Sequence, residues 1–132
     1  MGDCKVNGVN GYKPSFGYKT VLSNLYKKGK LPTVKRGLYG NILDVKNCSN
    51  EHLLPASLGG TTDLSNIALA DRFINTLRGN RDIRLFLTPE MAKSYLSQFV
   101  DVVVKYSGGK FIGNKYIQGV IETLRKLGVE LK

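Results

Sequence analysis

The chain has 132 residues, 42% hydrophobic and 23% charged, which suits one ordinary globular domain and excludes a low-complexity or disordered chain. Its formal charge is +10 at pH 7, from 20 basic and 10 acidic residues; such a field attracts polyanions and disfavours cationic partners, although a basic, soluble surface with no ligand carries the same charge. No apolar run approaches the roughly 20 residues that span a bilayer, and no hydrophobic signal core opens the chain, so neither a membrane partner nor export is expected.

The charge is uneven. Residues 1–48 hold nine Lys/Arg against two acids, residues 49–88 four against four, and residues 89–132 seven against four. Residues 1–18, with Gly8, Gly11, Pro14 and Gly17, read as a loosely ordered arm on a single 1–132 domain. Thr20 to Lys28 reads as a short helix with Val21, Leu22 and Leu25 on one face and Gly29 as its stop. The rest of the 19–48 segment is the densest basic stretch, with Lys27, Lys28, Lys30, Lys35 and Arg36 flanked by Tyr26 and Tyr39. Such tyrosines suit nucleic-acid sugars and bases, although packing is their commoner use.

Asn41 to Val45 suggests a short strand, and Asn47 to Asn50 a turn. Ile67 to Ala70 reads as a buried strand and Asp71 to Arg78 as a helix closed by Gly79, with residues 59–65 as the loop before them. Thr88-Pro89-Glu90 is a helix start, followed by an amphipathic pattern over 89–105 whose end is blurred by Val102, Val103 and Val104. A last helix over about 115–127 carries Ile117, Val120, Ile121 and Leu124 on one face, as core packing. Cys4 and Cys48 lack metal-type spacing and are expected as free thiols in a reducing cytoplasm.

The chemistry concentrates around the single histidine. The chain reads Glu51-His52-Leu53-Leu54-Pro55, then Gly59-Gly60, then Asn66, then Asn75-Thr76-Leu77-Arg78-Gly79-Asn80. Hydrolysis of a phosphodiester needs an activated water, counter-charge on the phosphate and help for the leaving oxygen. A Mg²⁺-type ion supplies the last two and takes hard oxygen ligands such as a carboxylate and an amide oxygen. A neutral imidazole can accept the water's proton near neutral pH. Adjacent strand residues face opposite ways, so Glu51 and His52 can share one site only if the strand ends there, as Pro55 suggests.

These residues closely resemble the HNH nucleases with their ββα-metal core. The pattern is acid-His, two apolar residues, Pro, a Gly-containing loop, Asn66 fourteen residues after His52, and Asn75 nine residues after that. The resemblance covers residues 49–84. It implies an α+β fold, with an HNH core behind a basic N-terminal segment and two amphipathic helices over 88–132. It implies a metal-dependent endonuclease acting on nucleic acid, DNA ahead of RNA. His52 would be the general base, Asn66 would tie the loop and hold His52 in the catalytic set, and Glu51 and Asn75 would bind Mg²⁺ or Mn²⁺. Lys27, Lys28, Lys30, Lys35, Arg36, Arg78, Arg81 and Arg84 are the expected phosphate contacts. No zinc is expected: Asp71 and Ile74 stand where many members place a second cysteine pair, and Phe73 and Ile74 would pack in its stead. A small chain of this kind looks like phage or mobile-element cargo, working in a bacterial host's cytoplasm. The alternative is a non-catalytic DNA-binding or inhibitory phage protein that keeps the scaffold.

Overall fold

The computed structural model describes residues 14–131, with side chains from residue 21 onward. Most of the expected arm lies outside the described residues, but its end does not: helix α1 runs Pro14–Lys27, earlier than Thr20. Pro14 at its first position costs no hydrogen bond there. Leu22 and Leu25 are buried, and Gly29 follows the helix at φ +76, the left-handed stop its position suggested.

No strand forms over residues 41–45; a single bridge pairs Arg36 with Ile42. Side chains hold this loop instead. Asp44 Oδ1 accepts from the Lys46 and Asn47 amides, and Asn47 Nδ2 donates to the Ile42 carbonyl and the Asp71 carboxylate. Such local bonds compete with strand pairing.

Strand β1 (Cys48–His52) pairs antiparallel with β2 (Ile67–Asp71), placing Glu51 opposite Ala68 and His52 opposite Ile67. Asn47 to Asn50 was expected as a turn. Pairing with Leu69, Ala70 and Asp71 draws residues 48–50 into the ladder instead, a tertiary effect that overrides local propensity. Helix α2 (Arg72–Arg78) follows directly, and the Asp71 carboxylate caps it by accepting from the Phe73 and Ile74 amides. Phe73 does not pack in place of a zinc site: it is 68% exposed, and only Ile74 of that pair is half-buried.

Helix α3 (Pro89–Ser97) has the expected Thr88 cap, with Oγ1 accepting from the Met91 amide. It stops well short of residue 105. The β-branched run beyond it enters strand β3 (Val103–Tyr106), which pairs with β4 (Gly109–Ile112) across the Ser107-Gly108 turn. Helix α4 (Gly113–Lys126) starts at a glycine for a steric reason: a Cβ there would lie 2.0 Å from the Phe99 carbonyl oxygen. Its inner stripe is Tyr116, Val120 and Leu124, with Ile117 and Ile121 half-buried at the margin.

The described residues thus form four helices and two small antiparallel sheets, an α+β arrangement as expected. Phe99 centres an aromatic cluster with Tyr95, Phe111 and Tyr116. The two tyrosines also reach β2: Tyr95 Oη accepts from the Leu69 amide at 2.9 Å, and Tyr116 Oη donates to the Ile67 carbonyl at 2.7 Å. The Leu38 amide donates to the Leu69 carbonyl, and the Ile67 amide turns back to Leu64. Burial holds both phenols above their usual pKa, so they stay protonated donors. No helix among the described residues is long and apolar enough to cross a membrane.

Candidate functional site

The site is assembled at the end of β1, where α2 crosses the hairpin. Asn66 precedes β2 and is buried. Its Oδ1 accepts from the Leu54 amide at 2.9 Å, and its Nδ2 donates to the Leu54 carbonyl at 3.0 Å and the Thr61 carbonyl at 2.8 Å. The Leu53 amide adds a bond to the Asn66 carbonyl. One side chain therefore ties both ends of the 54–61 loop, immediately beyond His52. Gly60 closes that loop where no side chain fits, since a Cβ would sit 1.7 Å from the Leu54 carbonyl oxygen. Asn66→Ala removes three bonds and leaves buried polar groups unmatched. We expect a loss of roughly 2–3 kcal/mol of stability, read as a lower urea midpoint; an unchanged midpoint would deny the clamp.

His52 is the last residue of β1 and is part-buried, with Nε2 withdrawn from solvent. Strand alternation gives it the face of Asn50, whose Nδ2 bonds Ser23 Oγ of α1. Glu51 takes the other face, toward α2. Its carboxylate is buried, accepts from Tyr39 Oη at 2.7 Å and lies 3.2 Å from Arg78 NH1.

This differs from the expectation that Glu51 is a free oxygen donor for a cation. Its immediate partners are a protein cation and a phenol. Burial pushes its pKa up, while Tyr39 and Arg78 pull against that shift. The same environment drives Tyr39 far above the ordinary tyrosine range, chiefly by burial and then by the neighbouring carboxylate. Tyr39 is thus engaged within the fold and is no platform for a base.

Arg78 requires the clearest correction. Expected at a phosphate, it is 1% exposed and all three of its guanidinium nitrogens bond inside the fold. Nε donates to the Arg81 carbonyl, NH1 to the His52 carbonyl at 2.7 Å, and NH2 to the Leu53 carbonyl at 2.8 Å. It binds the end of β1 to the turn after α2. Arginine's planar fork suits such convergent acceptors. The sequence held one signal for this role: Glu51 sits between a strand's inner face and a helix, and a buried acid requires a counter-charge.

Asn75 lies on α2 over β1, with Nδ2 donating to Ser49 Oγ and the Asn50 carbonyl, each at 3.1 Å. Lys27, Lys28, Lys30 and Lys35 are exposed, and so is Arg36, although its NH1 donates to the Gly40 carbonyl. Arg81 is exposed; Arg84 is exposed but paired with Asp82 at 2.7 Å, which lowers the Asp82 pKa to about 2.

A cavity of about 350 Å³ opens beside the clamped loop, lined by Leu53, Leu54, Pro55, Arg81 and Lys126 among others. Lys126 comes from α4, outside the motif, so spacing around His52 gave no sign of it. Among the described residues no three His, Cys, Asp or Glu side chains gather as a metal-binding group. Comparison with family models, with curated proteins and with solved structures returns no match for this chain.

Proposed function

We propose that this protein is an endonuclease of the HNH type that hydrolyses DNA phosphodiester bonds, with His52 as general base and a divalent cation, Mg²⁺ or Mn²⁺, as cofactor. The observation that carries this reading is the Asn66 clamp: one buried asparagine ties the loop that follows His52, on an antiparallel hairpin running straight into a helix. A backbone held this firmly at the end of a strand can fix an imidazole against a scissile phosphate, and positioning supplies a large part of such a barrier. His52 would take the proton from the attacking water as it forms its bond to phosphorus.

The expected ligand pair does not fit a cation as it stands. The Glu51 carboxylate is engaged by Arg78 and Tyr39, leaving the Asn75 amide oxygen as the remaining member. The same engagement, with the withdrawal of His52 Nε2 from solvent, favours a second reading: a DNA-binding protein that keeps the scaffold without cleavage.

Plasmid incubated with the wild-type protein in Mg²⁺ or Mn²⁺ separates the two. Relaxed or linear product that disappears with EDTA supports the nuclease; DNA binding with no product supports the second reading. Both readings share an electrostatic footprint on exposed Lys27, Lys28, Lys30 and Lys35. If these four contact phosphates, the slope of log affinity against log salt should be about −3 to −4 from them alone, and replacing all four by Gln should flatten it by that amount. Equal slopes for the two proteins would remove this segment from the interface.

A further inference from the structure

Between β1 and α2, the space next to the one buried carboxylate of the motif is already taken by a positive group. Arg78 NH1 stands 3.2 Å from Glu51 Oε2, and Tyr39 Oη donates to that same oxygen. The guanidinium is not a loose surface arm that could swing aside. Three carbonyls, of His52, Leu53 and Arg81, fix it at 2.7 to 2.8 Å. To reach Glu51, a divalent ion would have to displace Arg78 and strand those acceptors, which are buried or partly buried. It would also have to shed water and enter beside a fixed positive charge, which Mg²⁺ resists strongly.

We infer that Arg78 is a built-in replacement for the cation at this acid: Glu51 is a structural residue, and any divalent ion the protein uses is held without it. Arg78 thereby does two jobs at one point. It neutralises Glu51 on one face of β1 and holds the His52 main chain. This assignment does not depend on whether the protein cleaves DNA.

Ion binding to the full-length protein tests it, with Tb³⁺ luminescence as the readout because Tyr39 lies beside Glu51 and can sensitise an ion bound there. Glu51→Gln keeps an oxygen that can accept from Tyr39 and Arg78. Wild type and Glu51→Gln should therefore give the same Tb³⁺ titration and the same Mn²⁺ effect on melting temperature. Arg78→Met should gain a saturable emission that Mn²⁺ competes away and that is lost in Arg78→Met/Glu51→Gln. A wild-type signal that falls several-fold in a folded Glu51→Gln protein would overturn the inference, as would a folded Arg78→Met protein that gains no site. Should Arg78→Met fail to fold, the comparison of wild type with Glu51→Gln decides alone, equal titrations supporting the inference and a loss overturning it.

Discussion

Arg78→Met should be the most destabilising single change in the motif, costing about 3–5 kcal/mol, because removing one member of a buried ion pair leaves the other charged and dry. Methionine keeps much of the side chain's volume, so the loss reports charge and hydrogen bonds more than a cavity. The cost should also depend on pH in a defined direction. Glu51 is already raised above its ordinary pKa by burial, and Arg78 holds it down. Without Arg78 the folded-state value rises further. A carboxyl that binds its proton more tightly folded than unfolded favours folding at low pH, and that contribution fades as pH climbs through the folded-state value. The deficit of Arg78→Met relative to wild type should therefore be smaller near pH 5 than near pH 8. Urea melts at the two pH values measure it. A deficit below about 1 kcal/mol, or one that grows on acidification, would show that the pair does not hold the site together.

His52→Ala should lower plasmid cleavage by about 10²- to 10⁴-fold, the range lost with a positioned general base. The side chain is part-buried at the end of a strand, so the melting temperature and DNA affinity of the substituted protein must be followed beside the rate. Loss of rate with both unchanged assigns the proton transfer to His52. Cleavage at the wild-type rate removes that role. The Asn66→Ala protein gives a useful contrast, since it keeps the imidazole but frees the loop that follows it. Its cleavage rate should fall together with its stability.

How much of this was legible in the sequence differs by element. The Thr88-Pro89 start, the Asp71–Gly79 helix and the buried strand before it were readable because caps, stops and apolar runs are local signals. The break of α3 at Ser97 was not, since Ala92, Tyr95, Leu96 and Phe99 continue a helical stripe and all are buried. What ends the helix lies elsewhere: Gln98 bonds the backbone of Lys35 and Arg36, and the valine run pairs with β4. At the site, Asn66 could be found because its spacing from His52 is fixed by the loop it ties. Arg78 could not be placed by spacing alone. Three arginines follow Asn75 in close succession, and only the first, about one helical turn beyond it, faces inward to meet Glu51. The other two, Arg81 and Arg84, are exposed, so the expected arginine contacts lose only Arg78, and Lys126 lines the cavity beside Arg81.

The phenols of Tyr95 and Tyr116 have a consequence for association. A two-stranded ribbon normally offers a rim of open amides and carbonyls to any passing chain, the route by which extended segments stack and precipitate. Here the outward positions of Ile67 and Leu69 are plugged by two hydroxyls, one amide and one turn. Tyr95→Phe keeps the ring and deletes the plug over Leu69. The ring still covers the Leu69 amide and Leu69 is wholly buried, so the expected defect is an unmatched N–H that costs about 1–3 kcal/mol, read as a lower urea midpoint, while the strand stays shielded from other chains.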